Sequence, residues 1–276
     1  FIYYIMEYIN KTRQGMGKGK TFITQNINKL IENNSYTGKI IKTIIIVILV
    51  LVFVKLSKTI YFKYKNWIGS TPWILKGTKS AKKRMIVLQD PSKHNSIELK
   101  RSKNEHDGVE FSYVFWMFID DWTYRQGEWK HVMHKGTSSG SPLRAPGIWL
   151  HPNDNKLRVY MNSFENIEEY ADVDNIPINK WFNIAVCLKE RNLDIFFNGN
   201  LVKRHELSSL PKQNYGDLYV NAFKGFSGYL SNIRYYNYYV GYSDLVKQLN
   251  KGPSKMTVAT SEEKPPYLNK DWWIDN

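Results

Sequence analysis

The sequence predicts an all-β protein, an antiparallel two-sheet jelly-roll sandwich, preceded by a single transmembrane helix. Three observations support this fold class. An apolar run without any polar side chain, Ile44–Val54, lies in the first quarter of the 276 residues. From about residue 84, apolar and polar residues alternate with the period of two that is typical of half-buried strands. Turn sequences such as Asn198-Gly199 separate the alternating segments, as expected for hairpins.

The net charge of +14 comes entirely from the first third of the chain. Residues 1–85 carry 16 Lys and Arg residues against two acidic residues, whereas residues 86–276 carry 23 of each sign. Because the folded part has no excess of positive charge, no nucleic acid partner is predicted. The single cysteine, Cys187, excludes an intramolecular disulfide framework and a cysteine-based zinc cluster.

The apolar run is predicted to be a membrane anchor. A span needs about 20 residues, and the 23 residues Ile40–Phe62 provide them when Lys42 and Lys55 extend toward the headgroups. Lysines at both ends argue against a buried core helix, and the long preceding segment argues against a cleaved signal peptide. Aromatic residues typical of a membrane interface follow the run: Tyr61, Phe62, Tyr64 and Trp67. The lipid bilayer is therefore the first predicted partner.

The charges that flank the span predict its orientation. Nine Lys and Arg residues follow it between residues 55 and 84, and three Lys residues lie close before it. Positive charge is retained on the cytosolic side, so the protein is predicted to be single-pass with its C-terminal domain facing the cytosol. We assign residues 1–38 to a basic N-terminal segment, 39–65 to the helix with its flanks, and 66–83 to a basic linker.

Twelve short strands are predicted within a sandwich of residues 84–246. They are Met85–Gln89, Ser96–Arg101, Phe111–Ile119, His131–Lys135, Gly147–His151, Leu157–Asn162, Glu168–Val173, Trp181–Lys189, Leu193–Phe197, Asn200–Glu206, Leu218–Ala222 and Gly228–Asn237. Short, evenly spaced strands with almost no helical pattern favour two antiparallel sheets. One short helix is predicted over Tyr242–Asn250, and residues 247–276 form a tail that contains Pro265-Pro266 and ends in Asp271-Trp272-Trp273-Ile274.

Four sequence motifs follow one another in this region. The first is FSYVFWMFI at Phe111–Ile119, which is apolar on both faces and so predicts a central strand covered on both sides. The others are HVMHKG at His131–Gly136, the hairpin Trp181–Gly199, and GYLSNIRY at Gly228–Tyr235. These motifs, in this order, resemble those of laminin-G-like domains. The sandwich is therefore identified as a member of the concanavalin A-like lectin and glucanase superfamily, and this resemblance implies the same jelly-roll fold.

Glycoside hydrolases also occur in this superfamily, so catalysis has to be tested. Retaining hydrolysis needs two carboxylates about 5 Å apart. The nearest acidic segment contains Glu165, Glu168 and Glu169, but Glu168 and Glu169 are adjacent and would point to opposite faces of a strand. No Ser/His/Asp arrangement is evident. The protein is predicted not to be an enzyme, and no catalytic residue is assigned.

Metal and ligand sites are predicted from a few side chains. Asp172 and Asp174 share one face and are candidates for a structural calcium site, because laminin-G-like domains often hold calcium on a loop rim. The remaining ligands are unassigned, and no other cofactor is predicted. Aromatic residues near strand ends and in the tail are candidates for binding a glycan or a partner protein: Trp122, Tyr124, Trp129, Trp149, Trp272 and Trp273.

The whole layout resembles membrane proteins of large double-stranded DNA viruses of algae and amoebae. In these viruses an internal membrane lies beneath an icosahedral capsid, and membrane-anchored minor capsid proteins connect the two. We therefore predict a non-enzymatic minor capsid protein at the membrane–capsid interface of the virion, with capsid proteins as partners. The alternative is a membrane-anchored carbohydrate-binding lectin with the same fold.

Overall fold

The computed structural model describes residues 36–102 and 109–258. The chain consists of two compact units, divided between Lys65 and Asn66. The described part of the first unit, residues 36–65, is entirely helical and belongs to helix α1, which runs over Tyr36–Ser70. The second unit contains all the strands and a short helix, α2, over Tyr242–Lys251.

Helix α1 contains a segment, Lys42–Tyr64, that is long and apolar enough to cross a membrane. None of the most apolar part of this segment is buried. The hydroxyl groups of Thr43 and Thr59 donate to the backbone carbonyls of Lys39 and Lys55 at 3.0 and 2.9 Å, which satisfies these polar groups within the helix. The segment is thus a candidate membrane span that overlaps the predicted anchor.

Twelve strands form the second unit. They are β1 (Trp73–Ser80), β2 (Met85–Val87), β3 (Glu110–Asp121), β4 (Lys130–Gly136), β5 (Arg144–Leu150), β6 (Lys156–Tyr160), β7 (Tyr170–Asp174), β8 (Trp181–Lys189), β9 (Asn192–Phe197), β10 (Asn200–Glu206), β11 (Asp217–Val220) and β12 (Ser227–Tyr236). Sheet A has the order β1-β12-β3-β8-β9-β10, and sheet B has the order β2-β11-β4-β5-β6-β7. All ladders between these strands are antiparallel, which confirms the predicted fold class.

The core lies between the inner faces of the two sheets. Alternate residues of β3 point inward, and Phe115 and Met117 are fully buried there. From sheet B, Ile148 and Val159 complete the same core. The outer face of β3 is also apolar: Val114 packs in a second cluster with residues of β8 and α2, including Leu245. Strand β3 is therefore covered on both sides at this point, as predicted.

The predicted strand Ser96–Arg101 does not form, which corrects the prediction. The side chain of Gln89 takes the place of a neighbouring strand, because its amide donates to the Ile97 carbonyl at 3.0 Å and accepts from the Leu99 N–H at 3.0 Å. One backbone hydrogen bond joins these two segments, from the Ile97 N–H to the Leu88 carbonyl. Of the alternating apolar residues, Ile97 is half-buried and Leu99 is buried, which explains why the pattern resembled a strand.

The predicted basic linker, residues 66–83, contains β1, so the sandwich begins earlier than predicted. Ile74 and Leu75 are buried in the core, and β1 pairs with β12 with two register shifts. Lys76 and Gly77 interrupt the apolar pattern at these irregularities, so the period of two is not visible in the sequence.

Residues 256–258 of the predicted tail pair with strand β1 at the edge of sheet A. The N–H of Thr78 in β1 donates to the Met256 carbonyl at 2.7 Å, and the Val258 N–H donates to the Thr78 carbonyl at 2.8 Å. This short parallel pairing covers the outer edge of β1. Trp272 and Trp273 lie outside the described residues.

Candidate functional site

The outer face of sheet B brings together aromatic, histidine and arginine side chains. Their strand neighbours, including Met133, Ile148 and Val159, point inward and are buried. Because side chains alternate along a strand, the residues between these core positions in β4 to β7 and β11 point outward. We call this set the sheet B surface; it comprises His131, His134, Arg144, Trp149, Arg158, Tyr160, Tyr170, Tyr219 and Phe223.

Two nearly parallel aromatic rings, Trp149 and Phe223, lie together on this surface. The ring centroids of Trp149 and Phe223 are 5.7 Å apart, with an interplanar angle of 17°. Phe223 is 40% exposed, and Trp149 is half-buried. Gly140 contacts both rings: a Cβ atom there would lie 3.1 Å from Phe223 and 3.2 Å from Trp149. The close approach of these rings thus depends on a glycine at residue 140.

Phe223 lies in a turn with an unusual backbone, residues 221–225, which we call the Phe223 turn. Asn221, Phe223, Lys224 and Gly225 have φ angles of 52°, 53°, 67° and 54°. A bulky residue such as phenylalanine rarely adopts this left-handed conformation, and such strain is found most often at functional sites. The turn exposes the phenylalanine ring instead of burying it.

Two side chains outside the turn hold it in place. The Arg125 guanidinium donates to the Phe223 carbonyl and, at 3.5 Å, to the Gly225 carbonyl. The Tyr124 hydroxyl donates to the Lys224 carbonyl at 3.1 Å. Three successive carbonyl groups of the turn are therefore occupied, which fixes the conformation that presents the Phe223 ring.

A pair of buried histidines supports the same turn from below. The Ala222 N–H donates to His131 Nδ1 at 2.9 Å, so this nitrogen must be unprotonated. His131 Nε2 then donates to His134 Nδ1 at 2.6 Å, and His134 Nε2 donates to the Thr137 carbonyl at 2.8 Å. This chain requires both rings to be neutral. Burial lowers the pKa of His131 well below its usual value, and burial also lowers the pKa of His134.

Three polar atoms of this region have no hydrogen-bond partner. Among the described residues, the buried side-chain atoms without a partner are Arg144 Nε, Trp149 Nε1 and Asn221 Oδ1. Unsatisfied buried groups are rare and need an explanation, such as a ligand or water. All three belong to the sheet B surface or to the Phe223 turn, and together they offer two donors and one acceptor.

The positive charges of the surface are already paired. The Arg144 guanidinium lies 3.5 Å above the Tyr160 ring centroid and forms an ion pair with Glu168. Arg158 lies 3.6 Å above the Tyr170 ring and makes two hydrogen bonds of 2.7 Å to Asp172. The surface is therefore aromatic with neutralised charge, not a site for polyanions.

The two candidate calcium ligands lie on β7, on the outer face of sheet B. Both Asp172 carboxylate oxygens accept from Arg158, and Asp174 lies 3.5 Å from the Lys156 Nζ. Within residues 36–102 and 109–258, no group of three or more His, Cys, Asp or Glu side chains could hold a metal ion. A calcium ion at Asp172 would have to displace Arg158, and calcium binding stays a prediction.

Of the predicted aromatic residues, only Trp149 is in the central ring pair. Trp122 packs partly against the core and donates to the Asn153 carbonyl at 3.3 Å, and Tyr124 supports the Phe223 turn. Trp129 contacts His151 edge-on at 5.1 Å and lies 4.9 Å from the Arg158 guanidinium. The sequence reasoning missed Phe223, although an aromatic residue between Asn221 and Gly225, two residues common in turns, is a detectable signal.

The acidic segment tested for catalysis does not supply a carboxylate pair. The Glu169 carboxylate accepts from the Ser163 hydroxyl at 2.8 Å and from the Ser208 N–H and hydroxyl at 2.7 and 2.9 Å. Burial alone would raise its pKa, but these hydrogen bonds outweigh burial and lower the pKa. Glu168 pairs with Arg144 on the outer face, and Glu165 is exposed. An ionised Glu169 is unsuited to the role of general acid.

The solved structures that resemble this chain share little sequence with it. The chain is similar to the binding domain of botulinum neurotoxin DC, solved in complex with rat synaptotagmin II: 16% identity and a TM-score of 0.42, covering 52% of this chain and 36% of that chain. It is also similar to the receptor-binding domain of botulinum neurotoxin mosaic serotype C/D: 10% identity, a TM-score of 0.47, and coverage of 66% and 46%. The chain thus spans less than half of either toxin chain, and no curated protein matches it.

The family model for the concanavalin A-like lectin/glucanases superfamily matches residues 91–243, which is more than half of the chain. The matched residues include β3 to β12, and they form both antiparallel sheets together with β1 and β2. The chain belongs to the concanavalin A-like lectin/glucanases superfamily.

Proposed function

We propose that this chain is a non-enzymatic, membrane-tethered protein that binds a carbohydrate on the sheet B surface. The observation that carries this proposal is the parallel ring pair of Trp149 and Phe223, which is presented to solvent by a strained but well-supported turn. The C–H faces of sugar rings stack on aromatic side chains, which are large, rigid apolar platforms. Membership of a lectin and glucanase superfamily is consistent with this ligand class.

The polar atoms around the rings also suit a carbohydrate. A sugar hydroxyl is both a donor and an acceptor, so it can pair with the Trp149 indole N–H or with the Asn221 amide oxygen after a small rearrangement. Arg144 and Arg158 are engaged by Glu168 and Asp172, so an acidic ligand would have to break existing ion pairs. A neutral saccharide fits this balance of charge better than a charged one.

The absence of catalysis is part of the proposal. Retaining glycoside hydrolysis needs two carboxylates about 5 Å apart, one of them with a raised pKa. Glu169 instead accepts hydrogen bonds from Ser163, Ser208 and His205 that lower its pKa, and Glu168 is paired with Arg144. These contacts support a protein that binds sugars without cleaving them.

The candidate span Lys42–Tyr64 would tether the binding domain to a bilayer. Single sugar contacts are weak, but many tethered copies on one surface bind a multivalent partner far more strongly than one copy does. We keep the predicted orientation, with the sandwich on the cytosolic side, as part of this proposal.

A narrower version places the tethered sandwich in a virion, as a minor capsid protein whose partner is a capsid protein. This version rests on the resemblance of the layout to membrane-anchored minor capsid proteins of large DNA viruses. It also rests on the excess of Lys and Arg residues that follow the span. Recovery of the chain with capsid shells, in constant proportion, after detergent removes the membrane would support it. Complete recovery in the detergent fraction would oppose it.

The binding proposal is tested with a panel of immobilised neutral and acidic glycans and the detergent-solubilised full-length chain. Phe223→Asn removes the ring, while asparagine tolerates the left-handed backbone of the turn. We expect affinity for the best ligand to fall about tenfold, equivalent to about 1.4 kcal/mol. Tyr229→Ala is the matched control, because Tyr229 is 44% exposed on the opposite sheet and its loss should leave binding unchanged. If the wild-type chain binds no glycan, the proposal is wrong.

A further inference from the structure

A small cavity lies between the two sheets, at the end of the sandwich where β4 and β12 end. Sheet A contributes Phe111, Tyr113 and Tyr235 to its wall, and sheet B contributes Lys135 and Ala145. The volume of the cavity is about 30 Å³, which is room for roughly two water-sized groups. Connecting segments complete the wall with Leu99, Arg101, Gln213 and Asn214. The wall therefore combines apolar side chains with two positively charged ones.

The first of these cations, Lys135, is buried without a carboxylate partner. It is 8% exposed, and its Nζ donates to the carbonyls of Asn214 and Gly216 at 2.8 and 2.9 Å. An ammonium group has three N–H donors, so one of them remains. None of the ion pairs within residues 36–102 and 109–258 involves Lys135. Because lysine is rarely buried without a partner, the cavity beside it is the place where a negative charge is expected.

The second cation, Arg101, is also held only by neutral groups. Its Nε donates to the Gln213 side-chain oxygen at 3.0 Å, and its Nη1 donates to the Tyr215 hydroxyl at 2.7 Å. The guanidinium carbon lies 4.7 Å from the Tyr215 ring centroid. Arg144 and Arg158 on the sheet B surface differ in this respect, because both are paired with carboxylates. The end of the sandwich that holds the cavity therefore carries positive charge that its described neighbours do not neutralise.

Tyr113 adds a hydroxyl group to the wall of the cavity. It is 1% exposed, and its ring contacts Phe111 and Tyr235 at centroid distances of 5.8 and 5.0 Å. Its hydroxyl takes part in none of the hydrogen bonds among the described residues, whereas the Tyr235 hydroxyl donates to the Lys100 carbonyl at 2.7 Å. A buried hydroxyl without a partner is costly. We therefore expect the cavity to hold a group that accepts a hydrogen bond from Tyr113.

The cavity adjoins two larger grooves through which a ligand can reach it. A groove of about 800 Å³ shares Arg101 and Asn214 with the cavity. The described lining of this groove includes Lys212 and contains no acidic side chain. The other groove, of about 440 Å³, also shares Lys135 with the cavity but contains three acidic side chains. An anion therefore meets less repulsion along the groove that contains Lys212.

We propose that this cavity binds the carboxylate group of a small organic acid, with Lys135 and Tyr113 donating to its oxygens and Arg101 supplying the second positive charge. A carboxylate brings one negative charge and two acceptor oxygens, which suits the two available donors and the volume of the cavity. A phosphate dianion is larger and carries more charge than the site can accommodate beside Asp217. The site is separate from the proposed carbohydrate site, because it lies between the sheets and not on the outer face of sheet B.

Saturation-transfer difference NMR on the detergent-solubilised full-length chain tests the site with acetate as the probe. Acetamide has the same shape without the charge and serves as the neutral probe. We expect saturable binding of acetate, no binding of acetamide, and no displacement of acetate by inorganic phosphate. Displacement by phosphate would assign the cavity to a different anion and overturn the proposal, as would the absence of saturable acetate binding.

Substitutions separate the cavity from other basic sites on the chain. Lys135→Met should weaken acetate binding about tenfold or more, because it removes a charged donor. Tyr113→Phe should weaken it about threefold to tenfold without lowering stability, because the lost hydroxyl has no partner in the chain. Lys130→Met is the matched control: Lys130 is buried at the other end of β4 and donates to the Pro152 carbonyl at 3.1 Å. Equal losses in the Lys130 and Lys135 variants would overturn the proposal.

The titration of Lys135 gives a further readout that needs no substitution. Burial lowers the pKa of Lys135 to about 8; Asp217 opposes this shift and Arg101 adds to it. Acetate that binds only the ammonium form should therefore lose about tenfold in affinity between pH 7 and pH 9. Burial raises the pKa values of Tyr113 and Tyr235, so their hydroxyls stay protonated over this range. An acetate affinity that is the same at pH 7 and pH 9 would contradict a carboxylate site at Lys135.

Discussion

Acidification from pH 7 to pH 5 should destabilise the sandwich through the His131–His134 pair. The bonding chain from the Ala222 N–H to the Thr137 carbonyl requires both rings to be neutral. Burial lowers both pKa values below the usual 6.5, so below pH 6.5 the unfolded chain binds more protons than the folded chain. The free energy of unfolding must therefore fall as the pH falls through this window.

The size of the effect follows from linkage. One pKa unit corresponds to about 1.4 kcal/mol. A histidine that stays neutral in the folded state down to pH 5 therefore lowers the free energy of unfolding by about 2 kcal/mol between pH 6.5 and pH 5. His131 is fully buried and accepts from Ala222, so we expect it to approach this limit, with a further contribution of the same sign from His134. For a unit of this size, about 2 kcal/mol corresponds to a fall in Tm of roughly 4–8 °C. Hydrogen bonds lower the pKa of Asp90 and Asp121, so these groups contribute only below about pH 4.

Chemical unfolding of the detergent-solubilised chain, followed by tryptophan fluorescence at pH 7, 6 and 5, measures the effect. His131→Asn keeps an acceptor for the Ala222 N–H but does not titrate, so its stability should change much less over this range. His94→Gln is the control, because His94 is exposed and its replacement should preserve the wild-type pH dependence. If His131→Asn loses as much stability between pH 7 and pH 5 as the wild type, the assignment of the neutral pair is refuted.

Three further predictions concern the anchor, catalysis and the ring pair. The segment Lys42–Tyr64 should keep the chain in the membrane pellet after alkaline carbonate washing, and release into the supernatant would refute the anchor. Purified protein should hydrolyse no glycoside, and the substitutions Glu165→Gln, Glu168→Gln and Glu169→Gln should leave this result unchanged. Hydrolysis of a glycoside by the wild type would contradict the non-enzymatic proposal. Gly140→Ala should destabilise the sandwich by about 1–3 kcal/mol and weaken glycan binding, because the new methyl group meets both rings at a φ of +76°. Gly127→Ala is its control, since Gly127 has a φ of +82° with no atom within 4 Å of the added Cβ; equal losses in both variants would show that the ring contacts are unimportant.

The parts of the fold that the sequence predicted correctly are those specified by local patterns. Strand β3 and the hairpin around Asn198-Gly199 were predicted because period-two alternation and a turn sequence define them without reference to the rest of the chain. Strand β1 was missed because Lys76 and Gly77 interrupt its pattern. The segment Ser96–Arg101 was assigned as a strand because its apolar residues alternate, whereas its hydrogen bonds go to the side chain of Gln89.

The candidate site was less predictable because it depends on residues that are distant in sequence. Trp149 was selected for its residue type, but its partner Phe223 lies 74 positions later, in a turn that the alternation did not define. His131 was interpreted only as part of a strand motif, because nothing local shows that its ring accepts from the Ala222 N–H. Tyr124 and Trp122 have the right residue type but serve the turn and the core.

The location of the binding site can be measured directly by hydrogen–deuterium exchange, with and without the glycan that binds most tightly. The full-length chain in detergent is compared in both states, and exchange is resolved by peptide. We expect protection in residues 137–151 and 219–226, which carry Gly140, Trp149 and the Phe223 turn, and no change in β8 and β12 of sheet A. Protection confined to sheet A, or a bound glycan that leaves residues 137–151 and 219–226 unchanged, would contradict a carbohydrate site on the sheet B surface.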